Sequence, residues 1–289
     1  MNGAHVLMMI VEAVLLGVAG LGAGVVAGLV GVGGGVIFTP VLFAVYGVME
    51  VPAEVRTPLT VGTGLFCTGM AAGTSAVHHA RRGAVRGRTA LGVGLASAVV
   101  VGGVSRFVVT QPWYDAAIFQ ILFATVLLVV VGRMVWGRAE DPVPMEGTRE
   151  PGPLRWVRWG GTGTVAGAVA SAVGVGGGVV LVPAYHRWLR LPMRAAVGTS
   201  SATIVLISGG SIIAYALLGL GVAGRPAAAL GYVDVGTGLL LAGPAVLGAQ
   251  GGAVLAHRFE TRWLRWGFAL VAVVVTGRLV WGAVSGLVG

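Results

Sequence analysis

"GVGGGVIFTP" runs from Gly31 to Pro40, and "GVGGGVVLVP" runs from Gly174 to Pro183. Each is a glycine knot followed at the same offset by a proline, inside an apolar stretch where both residue types break helices. The triplets Gly33, Gly34, Gly35 and Gly176, Gly177, Gly178 open backbone conformations closed to other residues and leave their N–H groups bare. At membrane depth such backbone is tolerated only where it is buried in protein or lines a watery cavity. The knots therefore read as deliberate helix breaks that make a site, against the plainer reading in which small residues only let helices pack closely.

The membrane setting comes from composition. Of 289 residues, 56% are hydrophobic and 10% charged, where soluble domains carry roughly 25% charged residues. Apolar tracts recur at about 6–30, 36–48, 58–80, 89–105 and 115–137, and again at about 158–173, 178–190, 197–219, 231–256 and 264–287. Between the two sets lies the charged, proline-rich "GRAEDPVPMEGTREPGPLR", suited to an exposed connection. The halves also end alike, in "VVVGRMVWG" (Val129–Gly137) and "VVVTGRLVWG" (Val273–Gly282). The expectation is an all-α polytopic membrane protein of two inverted-topology repeats, each of about five helical segments broken or re-entrant at its knot. The first repeat spans 1–137, a cytoplasmic linker 138–154 and the second repeat 155–289.

Arginine placement sets the orientation. All 19 basic residues are arginine; with the N-terminus outside, 14 fall on the cytoplasmic side, in the joints at Arg81–Arg88, Arg187–Arg194 and Arg258–Arg265 and around the linker. Three fall outside, Arg56, Arg106 and Arg225, as the positive-inside rule requires. Both termini are then outside. The segments 36–48 and 178–190 are too short for a full span, so each either crosses or pairs with its predecessor as a re-entrant hairpin; charge counting fits both. The start, "MNGAHVLMMIVEAVLLG", lacks a positive n-region and reads as a retained first segment. Cys67 is the single cysteine, so no intrachain disulfide forms. The net charge of +9 is scattered between apolar tracts, which argues against nucleic acid as a partner.

Chemistry follows from direction. A helix starting at each knot points its unsatisfied donors and positive dipole end inward, which suits an anion. Inverted halves bring one such end from each face, giving a near-symmetric pocket at mid-depth. Hydroxyls complete it: Thr199, Ser200, Ser201 and Thr203 in "VGTSSAT", and Thr57, Thr60 and Thr63 in "TPLTVGTG", unless they bond back to their own helices. For proton coupling the candidates are Asp234, Glu12 and His78, with helix capping an equal account of Asp234 and solvation of His78. Arg133 and Arg278, beside Trp136 and Trp281, read as interface anchors. No metal-ligand spacing, nucleophile elbow or Walker loop occurs, so neither an enzyme nor a bound cofactor or metal is expected.

The doubled knot, "LPMRAAVGTSSAT" after the second copy and "GYVDVGTGLLLAGPAVLGAQGGAVLAHRF" beyond it resemble the sulfite exporter TauE/SafE family of membrane permeases, over essentially the whole chain. The resemblance implies passage of sulfur-containing anions such as sulfite and sulfoacetate, and maps both knots, Thr199 and Ser200 onto the family pattern. The first half departs from it, reading "TPLT" (Thr57–Thr60) where the second reads "VGTS". The expected function is a secondary transporter of small anions in the cytoplasmic membrane, working by alternating access, with lipid and substrate as partners and a homo-oligomer allowed. The rivals are an uptake permease for another solute and a non-transporting membrane interaction or sensor protein.

Overall fold

The computed structural model describes residues 14–25, 34–136 and 153–256, with Gly277. Among these, nine helices run in order: α1 (Val14–Val25), α2 (Gly35–Val48), α3 (Ala53–Arg81), α4 (Gly87–Val104), α5 (Ala116–Trp136), α6 (Pro153–Val173), α7 (Gly178–Pro183), α8 (Met193–Leu218) and α9 (Val235–Ala256). π-helical turns extend α4 through Ser105–Val109 and α7 through Ala184–Trp188. A two-residue ribbon, β1 (Ala229–Leu230) and β2 (Val233–Asp234), pairs Ala229 with Asp234 ahead of α9. Two of these helices, α4 with its π turn and α8, are long and apolar enough to cross a bilayer by length and composition. The described chain is thus mostly helical.

Its polarity is distributed for lipid. Leu91, Leu95 and Val99, one helical turn apart on α4, are all exposed, while Thr60, Thr63, Thr68, Ser97, Thr199 and Thr203 are buried. Water would favour the reverse; a hydrocarbon solvent does not.

The same backbone devices occur in the same order in both halves. Gly34 (φ 71°) caps the start of α2 and Gly177 (φ 75°) that of α7, both left-handed, a conformation cheap for glycine and costly for other residues. The next joint holds Glu50 (φ 54°) or Arg190 (φ 49°), also left-handed. Two residues later Pro52 or Pro192 stands at the N-cap of α3 or α8.

These counterparts, α3 and α8, form the most extensive helix pair, and they run antiparallel. Gly62 of α3 faces Tyr215 of α8, Gly69 faces Ser208, and Ser75 Oγ lies 3.0 Å from Ser201 Oγ. Two outer crossings use glycines four residues apart. Gly20 and Gly24 of α1 lie on the carbonyls of Leu241 and Ala245 in α9. On α6, a Cβ at Gly163 would lie 2.7 Å from Val93 O of α4, and one at Gly167 2.8 Å from Ser97 O. Backbones can approach this closely only through small residues.

Helix α6 begins at Pro153, ahead of the segment expected from about 158. Proline is at home in a first turn, where its missing N–H has no partner to lose. It turns back into α7 at the knot, where Gly174, Gly176 and Gly177 have φ of 79°, 73° and 75°. Arg158 Nη1 donates to Trp188 O at 2.9 Å and ties the open ends of this hairpin. Near its tip, Tyr215 Oη donates to Ser171 O at 2.6 Å and Tyr114 Oη to Ala172 O at 2.9 Å.

Candidate functional site

The two knots come together in the buried interior. A Cβ on Gly35 would lie 2.8 Å from Val175 Cα and 2.7 Å from Thr68 Oγ1, so the start of α2 rests on the tip of the α6–α7 hairpin. Thr39 Oγ1, one turn into α2, donates to Gly174 O at 3.0 Å. On the far side a Cβ at Gly177 would sit 2.9 Å from Ala166 O, and one at Gly176 would strike Thr68. Gly34, Gly35, Gly176, Gly177 and Gly178 are all buried. In place of the expected open pocket, the described knot residues are closed against each other and against α3 and α6. Thr39 and Thr68 fill the space that the glycines leave. Gly33 and Glu12 lie outside the described residues, as do Arg278 and the last segment.

Around this junction the hydroxyls divide into three groups. Some bond back to their own helix: Thr203 Oγ1 to Thr199 O at 2.9 Å, Ser201 Oγ to Val197 O at 3.0 Å and Thr68 Oγ1 to Gly64 O at 2.8 Å. Others accept a backbone N–H that starts another helix. Asp234 N donates to Thr63 Oγ1 at 2.9 Å ahead of α9, and Arg86 N donates to Thr199 Oγ1 at 3.0 Å ahead of α4. The glycine before each threonine admits a carbonyl from the same incoming strand, Tyr232 O at Gly62 and Ala84 O at Gly198. By role Thr199 matches Thr63, whereas by distance from the capping proline "VGTS" (Val197–Ser200) stands opposite "TPLT" (Thr57–Thr60), one turn earlier than "VGTG" (Val61–Gly64).

The third group has no partner. Thr57 Oγ1, Thr60 Oγ1, Ser200 Oγ and Ser208 Oγ are buried and make no hydrogen bond. Thr60 and Ser200 each stand eight residues after the proline that caps their helix. A buried hydroxyl without a partner carries a desolvation cost of about 1–3 kcal/mol.

Tyrosines that the sequence reading did not single out tie the short helices to the central pair. Tyr46 Oη of α2 donates to Thr63 Oγ1 at 3.1 Å, with Asp234 Oδ2 at 3.4 Å, and Tyr185 Oη of the α7 extension lies 2.7 Å from Thr203 Oγ1. Thr63 and Thr203 each stand eleven residues past the capping proline. Only the contact itself, across 17 or 18 residues of chain, distinguishes these tyrosines from interface anchors.

Asp234 is 1% exposed and caps α9: Oδ1 accepts from Thr237 N at 3.1 Å and Oδ2 from Thr237 Oγ1 at 2.7 Å. An anionic cap at a helix N-terminus is stabilised by the dipole and the free N–H groups. His78 is exposed at the end of α3 beside His79, their rings 5.9 Å apart. The proton-coupling candidates that the structure describes thus stand apart, Asp234 at the start of α9 beside Thr63 in the first half of α3 and His78 in the last turn of α3. Among the described residues no cluster of three His, Cys, Asp or Glu could hold a metal ion.

Residues 16–279 match the family model described as "Sulfite exporter TauE/SafE". A probable membrane transporter protein of Methanocaldococcus jannaschii is 27% identical over 252 residues, covering 87% of this chain and 89% of that one. A probable membrane transporter protein of Haemophilus influenzae is 26% identical over 254 residues, covering 88% and 92%. No solved structure matches the chain. These likenesses make it a membrane transporter and not an enzyme. Given the match along nearly its whole length, the chain belongs to the sulfite exporter TauE/SafE family.

Proposed function

We propose that the protein is a secondary transporter of small anions, sulfur-containing ones such as sulfite or organosulfonates, working by alternating access between two inverted repeats. One observation carries the reading: Gly35, the first residue of α2, rests on Val175 in the buried turn that leads into α7, which brings the positive end of one broken helix to the turn from which the other starts. The antiparallel course of α3 and α8, and the recurrence of left-handed glycine, left-handed joint and capping proline, support inverted repeats. Thr60 and Ser200 supply neutral donors, one from each half, which can meet an oxyanion without placing charge in the membrane. The closed knot contact is then the state between substrates, and the cycle parts it to admit the anion.

The multi-pass cell-membrane placement, the outside termini and the cytoplasmic linker 138–154 belong to the same reading. Export of an anion from a cell negative inside gains about 2.3 kcal/mol per charge for each 100 mV, so no coupled ion is required. The tight packing of the knots favours one rival, a membrane protein whose knots only join helices. Flux of labelled sulfite, sulfoacetate and thiosulfate into proteoliposomes separates the two, since the rival passes none of them.

A further inference from the structure

Tyr46 on α2 and Tyr185 on the π extension of α7 are fully buried. Each meets a threonine of the central pair, Thr63 on α3 or Thr203 on α8. The Thr203 proton goes to Thr199 O, so Tyr185 is the donor in its pair, as Tyr46 is in the other. The crossing of α3 with α8 sets the depth of both. Gly69 stands opposite Ser208, and its neighbour Thr68 is pressed by Gly35 of one knot and Gly176 of the other. Thr63 lies six residues before Gly69, and Thr203 five before Ser208. At a rise of about 1.5 Å per residue these offsets are about 9 Å and about 8 Å. Since α3 and α8 run antiparallel, the offsets point in opposite directions, and the two pairs bracket the knot junction from its two sides.

The two ties are unequal. Thr63 also accepts Asp234 N at 2.9 Å, and Asp234 Oδ2 lies 3.4 Å from Tyr46 Oη, so the first tie joins α2, α3 and the start of α9. In the second half the N–H that starts α4, that of Arg86, goes to Thr199, one turn short of Thr203. The second tie joins two elements, the α7 extension and α8. A neutral hydroxyl pair contributes little net stability and can be broken and remade in every cycle. We propose that Tyr46 and Tyr185 are the two gating residues of the alternating-access cycle. Tyr46 holds α2 on α3 while its side is shut, Tyr185 holds the α7 extension on α8 while the other is shut, and the less braced Tyr185 side opens more often at rest.

The test uses a thiol one turn past each threonine. Cys67, four residues beyond Thr63, is the single cysteine and is fully buried; the residue four beyond Thr203 is the fully buried Ile207. The native chain and Cys67→Ala/Ile207→Cys are treated with a membrane-impermeant maleimide in intact cells and in everted vesicles, each rate being taken relative to that of the denatured protein. Tyr46→Phe should speed labelling of Cys67 about fivefold from one face of the membrane, and Tyr185→Phe that of Ile207→Cys about fivefold from the other. With both tyrosines in place, Ile207→Cys should react faster than Cys67; equal or reversed rates would overturn the ranking of the two sides. Labelling left unchanged by both variants, raised from the same face, or raised for both thiols from both faces as in a loosened fold, would overturn the gates. The proposal rests on alternating access, but the labelling needs no substrate. Gates that respond as expected in a protein passing none of the three anions would sink the anion reading alone, and anion flux with unresponsive gates would sink this proposal alone.

Discussion

Gly35 lies against Val175: a Cβ built on it would stand 2.8 Å from the Val175 Cα and 2.9 Å from its carbonyl carbon. These are backbone atoms that no rotamer change can move aside. Gly35→Ala should therefore destabilise the protein by about 1–3 kcal/mol, the usual cost of overpacking. Gly73→Ala, on the same helix as Thr68 but with nothing within 4 Å, should be neutral or stabilising by up to about 1 kcal/mol. Thermal unfolding of the two variants in one detergent checks the difference. Equal melting temperatures would mean that the knots are not packed on each other.

Thr63 and Thr199 perform the same task in opposite halves, each accepting the N–H that precedes a helix, from Asp234 or Arg86. Thr63→Val should leave a buried donor unpaired and cost about 1–3 kcal/mol, and Thr199→Val, whose donor is part-buried, should cost less. Thr60→Val removes a hydroxyl that has no partner and should leave stability unchanged or slightly higher. A loss for Thr60→Val as large as for its neighbour Thr63→Val would show that Thr60 is bonded after all.

Asp234 is positioned as a cap, and the cap predicts a ranking. Asn serves nearly as well as Asp at an N-cap, whereas Ala costs about 0.5–2 kcal/mol. Asp234→Asn should then keep both stability and flux, and Asp234→Ala should lose stability. Were Asp234→Asn stable but insensitive to an imposed pH gradient that drives the parent, the carboxylate would be a proton carrier instead.

Much of this was legible in the sequence because glycine and proline act locally. The knots predicted helix starts, and α2 and α7 begin one residue after the left-handed Gly34 and Gly177. The short segments came out short for the same reason. What the sequence withheld depends on packing. The shared role of Thr63 and Thr199 needed the incoming segments at Tyr232 and Ala84, since by distance from the capping proline the two threonines are one turn out of step. The contact of Tyr46 with Asp234 spans 188 residues, and nothing local announces it. Whether the knots face a hollow or each other is set by Thr39 and Thr68, two threonines of ordinary appearance in apolar helices.

The central claim is that one hydroxyl from each half, Thr60 and Ser200, meets an anion at the junction of the broken helices. It is tested most directly by the flux of labelled sulfite into proteoliposomes carrying either the parent or the double variant Thr60→Val/Ser200→Ala. Both should reconstitute as folded protein, since neither hydroxyl has a partner to lose. The account predicts saturable flux in the parent, reduced at least about tenfold in the variant by the loss of two donors to a charged ligand. Undiminished flux in the variant would contradict it, as would the absence of flux in the parent for sulfite, sulfoacetate and thiosulfate alike.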